Sequence, residues 1–314
     1  MMRRSFIVIY FLFQLSFVWS QADISMATHW YNRANYNPAS IARTDYLYLF
    51  TNVRKQWLAV PGTPQTMNVQ ASGFNYNLRS AFGISLVADQ IGFATIINPM
   101  ITYAYRLSGN DDWSMSFGLS GGVFSRYLDR SKFNPLEVYD PLLSAGLDRL
   151  LKPDINFGVE FQNNFLIAGL SSTHLLSLYD KSVTYYNMNH RYGYLVYKNT
   201  NSETLNFYTG IQVVNRSYLT VLEGNFSMRL KNPTGLSSGA RELFELGFTY
   251  RSTKRITGLF AVNVSPDFRI GYAYDQSLIP GYNQNGSHEI MLEYRIPSKS
   301  AECKICRAQK DWYR

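Results

Sequence analysis

The chain has 314 residues, with 30 Lys and Arg against 22 Asp and Glu for a net charge of +8. Aromatic residues make up 16% of it and charged residues only 17%, where soluble domains average about 25% charged. The length is too great for one small sandwich, and after residue 20 no stretch approaches 18 consecutive apolar residues, which excludes a helical membrane protein.

The first element is an export signal. Arg3 and Arg4 precede an apolar run from Phe6 to Phe13, and Val18-Trp19-Ser20 places suitable residues before a cut at Gln21. The run is too short to span a bilayer as a helix and is broken by Gln14. Removing residues 1–20 leaves 294 residues with a net charge of +6, because Arg3 and Arg4 go with the signal. No cysteine follows the cut to carry a lipid, so membrane anchoring has to come from the fold.

Seven segments then alternate with the period of two that a strand requires, and helical spacing fits none of them. In chain order they are Ile101/Tyr103/Tyr105/Leu107, Met115/Phe117/Leu119/Gly121/Val123, Ile155/Phe157/Val159/Phe161 and Leu205/Phe207/Thr209/Ile211/Val213. The others set Phe244, Leu246, Phe248 and Tyr250 against Glu245, Gly247, Thr249 and Arg251; Phe268, Ile270, Tyr272 and Tyr274 against Arg269, Gly271, Ala273 and Asp275; and His288, Ile290, Leu292, Tyr294 and Ile296 against Glu289, Met291, Glu293 and Arg295. Charges on the second face suit a polar lumen and would cost several kcal/mol each if unpaired in lipid. Tyr105, Tyr250, Tyr274 and Tyr294 sit at strand ends, where a ring meets headgroups. A soluble β-sandwich alternates in the same way, but seldom runs to this length as one domain.

The expected fold is therefore all-β: a transmembrane antiparallel β-barrel of about 14 strands, each of roughly 9–11 residues, with long external loops. The expected domains are a signal peptide at 1–20, a barrel with an N-terminal lead-in at 21–297, and a basic tail at 298–314. Polar stretches at 108–112, 162–164, 251–255 and 265–267 read as short periplasmic turns. Stretches 127–153, 178–203, 229–242 and 276–286 read as external loops.

Chemistry-bearing residues are few. The four histidines, His29, His174, His190 and His288, lie far apart in sequence with no motif tying any of them to a nucleophile, so no enzyme is expected. Cys303 and Cys306 lack the second pair that structural zinc needs, so a disulfide is the plainer expectation and no cofactor or metal is predicted. The tail around them, with Lys299, Lys304, Arg307, Lys310 and Arg314, suits anionic headgroups or an acidic partner as well as it suits a solvated end. Nucleic acid is not an expected partner outside the cytoplasm.

Ordered motifs along the chain resemble the PorP/SprF family. They are Asn37-Pro38-Ala39, Arg54-Lys55-Gln56-Trp57 followed by Pro61-Gly62-Thr63-Pro64-Gln65-Thr66, then Asp89-Gln90-Ile91-Gly92 and Tyr103-Ala104-Tyr105-Arg106. Pro153-Asp154-Ile155-Asn156-Phe157-Gly158, Gly169-Leu170-Ser171-Ser172-Thr173-His174-Leu175, Gly271-Tyr272-Ala273-Tyr274-Asp275 and Gly286-Ser287-His288-Glu289-Ile290 follow. Each motif is weak alone; their order and spacing are specific. Ala42 stands where the family pattern has glycine.

The resemblance implies a Gram-negative, multi-pass outer-membrane component of the type IX secretion system. It implies a role in anchoring or helping to export secreted surface proteins, adhesins or gliding proteins, through their C-terminal secretion domains. Partners would be outer-membrane lipid, that cargo, and periplasmic secretion components. A channel for small or hydrophobic solutes is the alternative. The motifs point to Arg54, Lys55, Trp57, Gly62, Pro64 and Thr66 as partner-binding or structural residues. Asn37, Pro38, Asp89, Gly92, Asp154, Asp275, His288 and Glu289 are expected to be structural.

Overall fold

A computed structural model describes residues 26–43, 46–58, 62–109, 113–129, 149–179, 188–199, 202, 204–216, 219–232, 241–265, 267–279 and 286–297. The expected signal peptide at 1–20, the Cys303 and Cys306 pair and the basic tail lie outside the described residues.

Fourteen strands are present among the described residues: β1 Tyr46–Gln56, β2 Gln65–Asn75, β3 Ser80–Ile91, β4 Ala94–Gly109, β5 Trp113–Leu128, β6 Arg149–Asn163, β7 Leu166–Thr173, β8 His190–Asn199, β9 Leu205–Arg216, β10 Leu219–Asn232, β11 Arg241–Arg251, β12 Arg255–Asn263, β13 Phe268–Ser277 and β14 Ser287–Pro297. Each pairs antiparallel with its sequence neighbours, and β1 closes the barrel on β14 from Tyr46 opposite Pro297 to Gln56 opposite Ser287. Closure leaves no sheet edge, and every strand satisfies its backbone on two neighbours, as hydrocarbon demands. No described helix is long and apolar enough to cross a membrane.

The alternation read from sequence is the alternation of the wall. On β14, Glu289, Met291, Glu293 and Arg295 are buried inside while Ile290, Leu292, Tyr294 and Ile296 are exposed outside. Outward residues such as Ile84, Ile101 and Leu170 are 62%, 71% and 70% exposed, a contiguous apolar band that lipid covers. Outward Tyr105, Trp113, Tyr197 and Tyr294 rim one end of the barrel, and Tyr127, Tyr250 and Tyr274 the other, the two aromatic girdles of an outer-membrane wall.

An even strand number puts the start of β1 and the end of β14 at one end, the terminal end. The connections there are short: 76–79, 110–112, 164–165, 200–204, 233–240 and 264–267. The opposite, loop end carries the two longest connections, 129–148 and 174–189. This corrects part of the sequence reading. The turn 251–255 lies at the loop end, not with the other three short turns, and 229–242 lies at the terminal end. Stretches expected as loops also hold strand: β6 begins at Arg149, β8 occupies His190–Asn199, and β10 continues to Asn232.

The lead-in before β1 folds back into the barrel as three short 3-10 helices, η1 Ala27–Trp30, η2 Arg33–Asn35 and η3 Pro38–Arg43. Trp30, Arg33, Asn37 and Ala42 are among its fully or nearly fully buried residues. A mostly polar wall thus encloses a core of its own, in which Trp30, Tyr31 and Tyr36 pack with Phe50, Tyr194, Tyr208 and Met291.

Candidate functional site

Residues 26–43 plug the lumen, and inward-pointing carboxylates of the wall hold them. The uppermost anchor is Glu289 on β14. It accepts from the backbone N–H groups of Ala27 at 2.6 Å and Thr28 at 3.2 Å, from the Thr28 hydroxyl, and from Asn52 Nδ2 at 2.7 Å. Glu223 on β10 accepts from the Trp30 indole N–H and lies 2.7 Å from His29 Nε2. Glu160 on β6 takes two bonds from Arg33, from Nε at 2.9 Å and Nη2 at 3.3 Å, and a third from the Tyr194 hydroxyl. A first turn has N–H groups without helical partners, so a carboxylate aimed at Ala27 and Thr28 satisfies what the short helix cannot.

Further along, Asn37 donates from Nδ2 to Tyr194 Oη at 2.8 Å and to the Val159 carbonyl at 3.1 Å, while its Oδ1 accepts from Ala39 N at 3.0 Å. Two wall glycines make room for this stretch. A Cβ at Gly118 would fall on the backbone of Pro38 and Ala39, and one at Gly158 on the Asn37 side chain. Arg106 completes the hold, donating to the Ala42 carbonyl at 3.0 Å while its guanidinium stacks 3.8 Å from the Phe74 ring centre.

The wall carries its own ion network. Near the loop end, Arg54 binds Asp275 at 2.7 Å and Glu289 at 3.3 Å, Arg255 binds Asp275 at 2.6 Å, and Arg251 binds Glu223. Near the terminal end, Arg229 binds Glu245 at 2.6 Å and Glu242 at 2.9 Å, and Arg269 bridges Glu245 and Glu293. Buried charges survive only when paired and hydrogen-bonded, so the charges on the inward strand faces form the filling of a closed lumen.

The sequence motifs meet in pairs here. Arg54 joins Asp275 and Glu289. Thr66 donates to Asp89 at 2.5 Å, and Gly92 N donates to the Gly62 carbonyl at 3.2 Å, so the Gly62-to-Thr66 and Asp89-to-Gly92 motifs lock the ends of β2 and β3. Gly62 and Gly92 both have positive φ, 73° and 57°, which glycine adopts without strain. Asp154 lies 2.7 Å from His174 Nδ1 and accepts from Asn98 at 3.0 Å, while Asn156 caps His174 N at 2.8 Å. Asn37 and Pro38 sit on the Gly118 and Gly158 surface described above.

Four residues lie outside the lumen network. Lys55 and Pro64 flank the β1–β2 connection, Lys55 pointing outward. Trp57 is half-buried with φ 48°, its N–H on the Gly286 carbonyl at 2.9 Å. His288 faces outward, its Nδ1 2.6 Å from the Tyr272 hydroxyl. Sequence reasoning missed His29, Trp30, Arg33, Glu160 and Glu223. The usable signal was Glu160 and Glu223 themselves, acidic residues inside strands that need a cation or donor opposite.

The Arg33–Glu160 link gives a direct test. Arg33→Met leaves a buried carboxylate without its guanidinium and is expected to destabilise the folded barrel by about 3–5 kcal/mol. Combining it with Glu160→Leu should recover much of that in the urea midpoint. Additive losses would mean that the two side chains act separately.

A closed antiparallel barrel with an apolar outer band, two aromatic girdles and a charged, plugged interior defines an integral, multi-pass outer-membrane protein of a Gram-negative cell. Within that class, the chain belongs to the type IX secretion system membrane protein PorP/SprF family, whose model matches residues 19–294. No curated protein matches it. Solved structures similar to it include the monoaromatic hydrocarbon channel CymD, at 12% identity and TM-score 0.48, covering 82% of this chain and 90% of that one. The toluene transporter TodX of Pseudomonas putida is similar at 10% identity and TM-score 0.47, covering 85% and 94%. Omp33 of Acinetobacter baumannii is similar at 8% and 0.46, covering 80% and 98%.

Proposed function

We propose that this secretion-system barrel acts as a sealed outer-membrane platform that holds secreted surface proteins at the cell surface, or helps them leave, and does not conduct solutes. The observation that carries the reading is the lumen, filled by residues 26–43 and by the wall's own ion pairs. A filled interior suits anchorage, which needs rigidity and surface, and counts against the alternative of a channel for small or hydrophobic solutes.

Outer-membrane barrels carry short periplasmic turns and longer extracellular loops. The terminal end is therefore assigned to the periplasm, where secretion components would dock, and the loop end to the exterior, where cargo with a C-terminal secretion domain would be met. No catalysis is proposed, because each histidine has a structural setting: His29 against Glu223, His174 on Asp154, His190 edge-on to His174 and Tyr192, and His288 on Tyr272.

Deleting the gene is expected to release secreted surface proteins into the medium and to abolish any surface motility, read by comparing cell-bound and medium fractions. Full retention of every surface protein overturns the anchoring role. Trp57→Ala should leave the barrel folded, since the indole stands apart from the lumen network, yet weaken cargo retention. Unchanged retention would assign Trp57 to closing the β1–β2 connection alone.

A further inference from the structure

The lipid-facing side of the wall carries cations without carboxylates. Every Asp and Glu of the described strands points inward and is buried. Near the loop end, by contrast, Lys55 on β1, Arg149 on β6, Arg191 on β8 and His288 on β14 point outward among the described residues, each at the last or next-to-last position of its strand. A charge there escapes hydrocarbon only by reaching the headgroup layer.

Two of the four are neighbours. Lys55 stands directly opposite His288 across the closure of β1 on β14. Gln65 on β2 lies opposite Lys55, and Tyr274 on β13 lies opposite His288, so one outward polar row crosses four adjacent strands. The next row toward the bilayer centre is Met67, Val53, Ile290 and Tyr272, apolar side chains and a ring that are 39–56% exposed. A polar rim above an apolar shelf fits a lipid, headgroup above and chains below.

The row is also set in place. The His288 ring lies between Tyr272 and Tyr274, with centroids 6.0 Å and 5.1 Å away, and its Nδ1 is 2.6 Å from the Tyr272 hydroxyl. With that hydroxyl donating to Nδ1, Nε2 carries the ring proton and remains a donor. Tyr274 is fixed in turn, donating to Gln276 at 2.8 Å, its ring filling the space beside Gly286. Lys55 is exposed, and no described residue pairs with its ammonium. Directly opposed side chains have Cβ atoms about 4.5–5.5 Å apart, near enough for both donors to grip one phosphate with charge-assisted bonds.

We propose that the Gln65, Lys55, His288 and Tyr274 row is a headgroup site for a phosphorylated outer-leaflet lipid, of the chemistry of lipid A. Lys55 and His288 Nε2 hold one phosphate, and acyl chains lie along Val53, Met67 and Ile290. The lipid thereby clasps the two strands whose pairing closes the barrel. Its leaflet rests on the assignment of the loop end to the exterior; the phosphate chemistry does not.

The test titrates bisphosphorylated lipid A onto the full mature chain in nonionic detergent, read by native mass spectrometry. Lys55→Gln should weaken binding about tenfold, the factor for one hydrogen bond to a charged group, and Lys55→Arg should keep it. Dephosphorylated lipid A should bind the parent as weakly as lipid A binds Lys55→Gln. Equal affinity in the parent and Lys55→Gln overturns the site. An equal loss for Arg191→Gln, on the far side of the barrel, reduces the attraction to that of a basic rim and overturns it too. Displacement by inorganic phosphate alone overturns the lipid as occupant, and lost surface-protein retention with unchanged lipid A affinity hands the row to cargo. The leaflet is tested separately on intact cells. With Cys303 and Cys306 replaced by Ser, Ser252→Cys, exposed in the 251–255 turn, should react with a membrane-impermeant maleimide. Reaction only after lysis places the loop end in the periplasm and overturns the outer-leaflet lipid, whatever the titration shows of phosphate.

Discussion

Glu289→Leu is expected to cost the folded barrel about 3–5 kcal/mol, the range for removing one partner from a buried, hydrogen-bonded charge group. Ala27 N, Thr28 N and its hydroxyl, Asn52 Nδ2 and Arg54 Nη1 all lose an acceptor together. The loss should fall unevenly. Arg54 keeps Asp275 at 2.7 Å, so the wall stays paired, whereas the first turn of the plug has lost both of its backbone anchors. The urea midpoint of the folded barrel should drop, and protease access to residues 26–32 should rise before the barrel itself opens. Glu289→Gln separates charge from geometry: it keeps one acceptor oxygen and should cost about 1.5–3 kcal/mol, the net value of a hydrogen bond to a charged group. If Gln proves as damaging as Leu, the negative charge facing Arg54 is what matters, and the bonds to Ala27 and Thr28 contribute little.

How far the sequence foretold this molecule depends on what each strand faces. Where the lumen side of a strand carries charged residues, as on β11, β13 and β14, polar and apolar residues alternate and the strand is legible. Where the lumen side instead supplies large apolar residues to the cluster around Trp30, both faces are apolar and the pattern disappears. Tyr48 and Phe50 on β1, Tyr194 and Val196 on β8, and Leu259 and Ala261 on β12 all point inward and are buried in the same cluster as Trp30. Those three strands have hydrophobic residues on both faces, and β8 was read as part of a loop. The turns misassigned to one end or the other had length and polarity as their only guide, and 251–255 is short yet lies at the loop end while 233–240 is longer yet lies at the terminal end.

The motifs behave differently from the strands. Arg54, Asp275 and Glu289 are far apart in the chain and each, alone, is an ordinary inward charge; only the closure of β1 on β14 brings them together. Asp154 and His174 meet at the loop end of the β6–β7 pair, where the register of that hairpin brings them together. A single sequence contains the members of such groups without their partnership, because pairing is set by register around the barrel and not by spacing along it. The plug was the least legible part. Residues 26–43 carry neither a strand period nor a full helical turn pattern, and their 3-10 turns are held by groups from β6, β10 and β14 rather than by local preference.

That dependence on the wall makes the glycines of β5 and β6 a sharp probe. Gly118→Ala adds one methyl group where the Pro38 and Ala39 backbone already lies, and a backbone cannot rotate away as a flexible side chain can. Either η3 leaves the wall or β5 shifts, and the β4–β5 and β5–β6 ladders flanking Gly118 resist the shift. The barrel is therefore expected to assemble with η3 displaced, less stable by about 1–3 kcal/mol as in other overpacked cores, and with ion conductance where the parent is silent. Gly158→Ala meets mainly the Asn37 side chain, which has more freedom to move, so its effect should be smaller. Gly121→Ala is the control: it lies on the same strand but faces outward into open space, and it should change neither stability nor conductance. The order Gly118, Gly158, Gly121 is the content of the prediction. If Gly118→Ala and Gly121→Ala proved equally stable and equally silent, η3 would not rest against β5, and the lumen would be sealed by the wall's ion pairs alone.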